Sequence, residues 1–346
     1  MRRWILSLFV ICFLLLPVSA ETFSAPVAPD GALEYMPEDN ETFAEGLWYI
    51  IKTAVSNLRP ELAGASKVCL SIIVAVLLLS IFSSISKASH GITQLVGAVM
   101  IGIILLESFH TMIHLGTQTV TELSEYSKLL LPVMTATLAA QGGTTTSAAL
   151  YTGTLFFNTL LTTAISRLLV PTIYVYLCFC VASSAIDQQM LKKVKDFAKW
   201  IVIWFMKVVL YVFTGYIGIT GVVSGVVDAS ALKAAKLTIS GVVPVVGGIL
   251  ADASETILLS ASVMKSAAGV YGIFAILAIC VSPFVQIGAQ YLILKLSGAV
   301  CGIFGYKPAV DLMNDFSSGM GMLLAMTGSV CVIILVSIVC FMKGVG

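Results

Sequence analysis

Eight stretches of this chain are long and apolar enough to cross a bilayer as single helices: 68–86, 92–113, 147–166, 168–186, 200–226, 267–285, 286–305 and 320–342. A helix needs about 20 such residues to span hydrocarbon. Lipid offers no hydrogen-bond partner to a bare backbone, so only helices or closed barrels cross it. These runs are continuous rather than alternating, which selects helices. The expected fold class is all-α: a polytopic transmembrane helical bundle. The composition agrees, with 58% hydrophobic residues, 11% charged residues and a mean hydropathy of +1.02. A soluble domain carries about 25% charged residues. The net charge of +1, with no basic stripe among aromatics, argues against nucleic acid as a partner.

Two shorter apolar runs, 129–141 and the stretch near 237–251, stand apart. Each carries a proline and adjoins a glycine pair: Pro132 with Gly142 and Gly143, and Pro244 with Gly247 and Gly248. At about 14 residues and 1.5 Å per residue, each reaches only about 20 Å as a helix. The reading is two half-helices, re-entrant hairpins or broken spans, a device that membrane proteins use around polar sites. Pro132 and Pro244 are separated by 112 residues, as are Pro171 and Pro283. That shared offset suggests an internal duplication of about 112 residues.

The first 20 residues have a basic start (Arg2, Arg3), an apolar run and the small-residue end Val18-Ser19-Ala20. They read as a signal peptide cleaved after Ala20. Residues 21–67 then form an exported acidic arm, irregular around Pro26, Pro29 and Pro37, with a short amphipathic helix from Thr42 to Leu58. Residues 68–346 are the multipass transmembrane domain. Lysine placement sets orientation. Lys87 and the four lysines of 187–199 read as cytoplasmic, and 114–128, holding Glu122 and Glu125, reads as an exterior loop. That requires four crossings between residues 92 and 200.

Ionisable groups inside spans are costly, and function is their default reading. Lys295 lies near the middle of 286–305, while Asp252, Glu255 and Lys265 follow the second broken segment. They are candidates for a polar pathway, against the plainer reading of a capped and solvated loop. Gly221 with Gly225, and Gly298 with Gly302, have the spacing for close helix contact. Glu107, His110 and His114 share one face, but a carboxylate-bridged metal pair needs a second such motif, so a polar helix end is the better reading. The eight cysteines lie in the leader or in apolar runs and read as small hydrophobes, not disulfides. No phosphate-cradling loop, HExxH or Gly-x-Ser-x-Gly occurs, so no enzyme and no cofactor is expected.

The segments LLPVMTA (130–136), SAAL (147–150), LKAAK (232–236), PVVGGILADASETIL (244–258) and DLMND (311–315) occur in this order behind the leader. Together they resemble the stage III sporulation protein AE family of endospore-forming bacteria. The resemblance implies a multipass protein of the mother-cell membrane facing the forespore, working in a channel complex. Its implied partners are other stage III sporulation proteins, including exported ring-forming subunits and a cytoplasmic ATPase-like subunit. It implies no catalytic residues. A stand-alone secondary transporter and a structural scaffold of the assembly are the competing readings.

Overall fold

The computed structural model describes residues 25–37, 42–85, 90–140, 144–186, 188–219 and 267–343. Among these residues the chain is helical and contains no strand. The helices are α1 (Asp30–Leu33), α2 (Phe43–Asn57), α3 (Arg59–Ile85), α4 (His90–Ala140), α5 (Thr144–Ala164), α6 (Val170–Ile186), α7 (Gln189–Ile219), α8 (Ala267–Ile303) and α9 (Lys307–Lys343). A π-helical turn at Ile165–Leu169 joins α5 to α6. Six helical stretches among the described residues are long and apolar enough to cross a membrane.

Neighbouring apolar runs fuse. The runs 92–113 and 129–141 are the two ends of one 51-residue helix, α4. The segment 114–128, expected as a loop, continues it. The reason is visible in its burial: Ile113, Val120, Leu123, Tyr126 and Leu130 are buried, three, four or seven apart, and form one apolar stripe. Pro132 lies inside α4 and does not break it. Proline removes one backbone donor. The Thr135 hydroxyl donates to Leu131 O at 2.7 Å and that of Thr137 to Val133 O at 2.8 Å, adding local bonds around the site. Gly142 and Gly143 lie outside the described residues, as do Gly221, Gly225, Pro244, Gly247, Gly248, Asp252, Glu255 and Lys265.

The runs 147–166 and 168–186 fuse likewise through the π turn. Pro171 cannot donate to the carbonyl of Arg167, and the wider turn just before it accommodates that loss. The runs 267–285 and 286–305 form α8, with Pro283 inside it. Two crossings, not four, therefore connect residue 90 to the lysines of 189–199, and an even count still places those lysines beside the start of α4. The described residues do not show the 112-residue repeat, and the segment around Pro244 lies outside them.

α9 is the axis of the bundle. Among the described helices it packs on α4, α5, α6, α7 and α8, and 78% of its most apolar stretch is buried. A helix apolar all round finds its place in such a centre. α8 turns into α9 at Gly305, whose φ of +72° suits glycine. α2 and α3 run one after the other along α8. Phe43 of α2 stacks on Phe274, and the Ser80 hydroxyl of α3 donates to Phe304 O.

The arm is tied to one end. Tyr126 OH donates to Pro26 O at 3.2 Å, Ala28 N donates to Tyr271 OH, and Tyr35 OH donates to Ser282 Oγ. Thr42 and Glu45 close a capping box at the start of α2. The Thr42 hydroxyl and amide hold the Glu45 carboxyl below its ordinary range. The box is therefore complete above the usual glutamate range and is lost as pH falls through that lowered value. Thr42→Ala is expected to fray the first turn of α2, read as faster protease cleavage near residue 43.

Candidate functional site

The bundle has an arm end, where residues 25–43 pack, and a lysine end, where α7 and α9 begin. At the lysine end, Lys195 Nζ lies 2.7 Å from Asp315 Oδ2. The two side chains are 15% and 17% exposed, so the pair is largely withdrawn from solvent. Lys195 comes from α7 and Asp315 from the central helix. Tyr176 OH of α6 donates to Asp315 O at 2.9 Å, so three helices meet at one residue. Desolvated charges persist only when paired with good geometry. This junction fixes the register of α7 and α6 on α9.

Lys295 lies elsewhere. It is exposed on the outer face of α8, where its Nζ donates to Asn314 Oδ1 at 3.2 Å. Asp315 follows Asn314 directly, so the partner of Lys295 adjoins the junction in sequence while Lys295 itself is turned outward. Gly298 and Gly302 face α9: a Cβ on Gly298 would lie 3.1 Å from Met313 Cβ, and one on Gly302 3.9 Å from Val310 Cγ2. Tighter glycine contacts occur at Gly102 against Val181, Gly272 against Leu130, and Gly319 against Phe109.

Midway along the bundle the polar groups change character. Gln290 of α8 donates to Ser108 Oγ of α4 at 3.0 Å, and His110 Nδ1 lies 2.6 Å from Tyr174 OH. A cleft of about 400 Å³ opens here between α3, α4 and α8. Glu107, Thr111, Gln286 and Gln290 give it a polar wall, while Leu62, Val68 and Ile104 give it an apolar one. Such a cleft suits an amphipathic group.

From the cleft to the arm end, α4 turns a polar face outward: Glu107, His114, Gln118, Thr121, Glu125 and Lys128 are all exposed, three to seven residues apart. Gln118 Nε2 donates to Glu122 Oε1 at 2.8 Å along this face. Toward the lysine end the same face carries Ile92, Val96, Val99 and Ile103, also exposed. Inside the arm half, Asn158 Nδ2 donates to Ser127 Oγ at 2.6 Å and Thr154 Oγ1 to Ser337 Oγ at 2.8 Å, tying α5 to α4 and α9.

The sequence reading missed the ion pair. Lys195 is one of the four lysines that read as cytoplasmic, and Asp315 closes the DLMND segment, which carries resemblance but no role. The signal available was Asp311 and Asp315, one helical turn apart at the mouth of an apolar run. The polar face of α4 was also legible, as a 3.6-residue spacing through 107–128, but the segment was divided between a span and a loop.

A sequence model of the stage III sporulation protein AE family matches residues 34–344. The stage III sporulation protein AE of Bacillus subtilis (strain 168) is 25% identical over 235 residues, which is 68% of this chain and 58% of that protein. The match thus spans somewhat more than half the length of that curated relative. No solved structure matches the chain.

Proposed function

The chain belongs to the stage III sporulation protein AE family, and from that premise we propose that it is the membrane-embedded subunit of a transport channel complex joining mother cell and forespore. It is a multipass membrane protein of sporulation. In this reading it sits in the mother-cell membrane facing the forespore and is needed for forespore development. The lysine end is cytoplasmic, following the positive-inside tendency. The arm end is exterior, where exported ring-forming subunits would meet it. A cytoplasmic ATPase-like subunit would act at the lysine end. Asp252, Glu255, Lys265 and Lys295 remain the proposed polar pathway.

The family match over nearly the whole chain is the observation that carries this reading. Purification from sporulating cells in mild detergent is the test. Other stage III sporulation proteins are expected to come down with the chain, and Asp252→Asn or Lys295→Met should lower spore counts at normal protein level. A chain that purifies alone would favour a stand-alone transporter. Wild-type spore counts for both variants would leave a scaffold.

A further inference from the structure

Length sets a limit on how this bundle sits in lipid. α4 has 51 residues, about 75 Å at 1.5 Å per residue, and α8 and α9 have 37 each, about 55 Å. A hydrocarbon core is about 30 Å thick, and even a 40° tilt would leave about 40 Å of α8 and α9 along the bilayer normal. Part of the bundle must therefore stand outside it.

The surface marks where. Lys67 on α3, Glu107 on α4 and Arg167 in the π turn are exposed within about two helical turns of one level. Val68 and Glu107 line the same cleft, and the His110–Tyr174 bond sets α6 against α4. From these charges to the lysine end the helices run about 27 Å along α3, about 26 Å along α4 and about 29 Å along α6. Three adjacent helices thus give one hydrocarbon thickness.

Within that belt the outward side chains are apolar: Leu70, Val74 and Leu78 on α3, Val99 and Ile103 on α4, Val175 on α6. Lys295, about 12 Å from the end of α8, is the exception to this apolar surface, and its ammonium bonds to Asn314. Beyond the belt the outward faces of α2, α4 and α5 become mixed, with polar groups set among exposed Trp48, Val55, Leu129, Phe156 and Leu160. α2 shows Glu45, Lys52 and Ser56, α4 shows the face described above, and α5 shows Thr152, Thr159 and Thr163. α7 keeps apolar outward groups to its end, at Tyr211, Val212 and Ile219, with no charge among them, and it leads into residues 220–266, outside the described residues.

We propose that only the lysine-end half of the bundle is embedded in the bilayer, and that the arm-end half stands in water, with the polar face of α4 and the mixed faces of α2 and α5 presented to the aqueous space on the arm side. The molecule then has two surfaces for two surroundings: a belt for acyl chains and a turret for water. This holds whether or not the complex conducts anything, since it rests on helix length and surface polarity.

Cysteine labelling of the full chain in membrane vesicles tests it, with a membrane-impermeant maleimide and the unsubstituted protein as the background for native cysteines. Lys52→Cys, Gln118→Cys and Thr163→Cys are expected to react at least about tenfold faster than Leu78→Cys and Val99→Cys, which lipid should shield until the membrane is dissolved. Equal protection at all five positions would overturn the proposal. Reaction at Gln118→Cys alone would overturn it too, by making α4 the wall of a narrow pore inside the bilayer. Protein level in the membrane fraction gives a second readout: Gln118→Arg should match the unsubstituted chain, whereas Val99→Arg should fall well below it. Equal loss for both would sink the idea.

Discussion

Lys195→Ala is expected to destabilise the protein by about 2–3 kcal/mol, and Asp315→Ala by a similar amount. The pair has N–O contact at 2.7 Å with both side chains less than a fifth exposed. Removing one partner leaves the other charge desolvated without compensation. That penalty, rather than the attraction of the pair, dominates the single variants. The double change Lys195→Met with Asp315→Leu should therefore recover most of the loss, since no charge then remains to be solvated. Thermal unfolding in detergent, followed by the fraction staying soluble, reads all three. A double variant no more stable than either single would contradict this account. The bond from Tyr176 OH goes to the Asp315 backbone carbonyl, so it survives every one of these changes.

Gly319→Leu should cost about 3 kcal/mol, at the upper end of what overpacking does in a filled core. A Cβ on Gly319 would lie 2.7 Å from Phe109 Cζ and 2.8 Å from Cε2, with Leu177 Cδ2 at 3.5 Å. Phe109 has little room to retreat. It is fully buried, and its ring packs edge-on to Phe316 at 5.8 Å. A larger residue must push α4 away from α9. Phe109→Leu in the same chain should restore part of the stability by vacating that space. Gly288 is the control, because a Cβ there meets nothing within 4 Å. Gly288→Ala should leave stability unchanged or raise it by up to about 1 kcal/mol through helix propensity. If Gly319→Leu unfolds at the temperature of Gly288→Ala, the close approach of α4 to α9 is not what limits stability.

Much of this fold was legible from local pattern, because a membrane helix announces itself in composition. The eight long apolar runs fall almost wholly within described helices, apart from the part of 200–226 that extends beyond Ile219, while the shorter run near 237–251 lies outside the described residues. Their junctions were not legible. A proline and a polar stretch looked like a break at 114–132, yet the buried stripe through Leu123 and Tyr126 holds the helix together across them. In a bilayer such a polar stretch would signal a loop, whereas beyond the bilayer it is an ordinary amphipathic surface. The ion pair was hidden for another reason. Lys195 and Asp315 are 120 residues apart, and only packing on α9 brings them together.

The burial of α9 has a bearing on how the molecule is made. The ribosome delivers this helix after each of the described helices that will enclose it. Until then Lys195 lacks Asp315, and Phe109 and Leu177 lack the groove at Gly319. The earlier helices must wait in the membrane as a loose, unfilled sheath. Maturation is thus a late, concerted closing step, set by the arrival of one segment rather than by the insertion of each in turn.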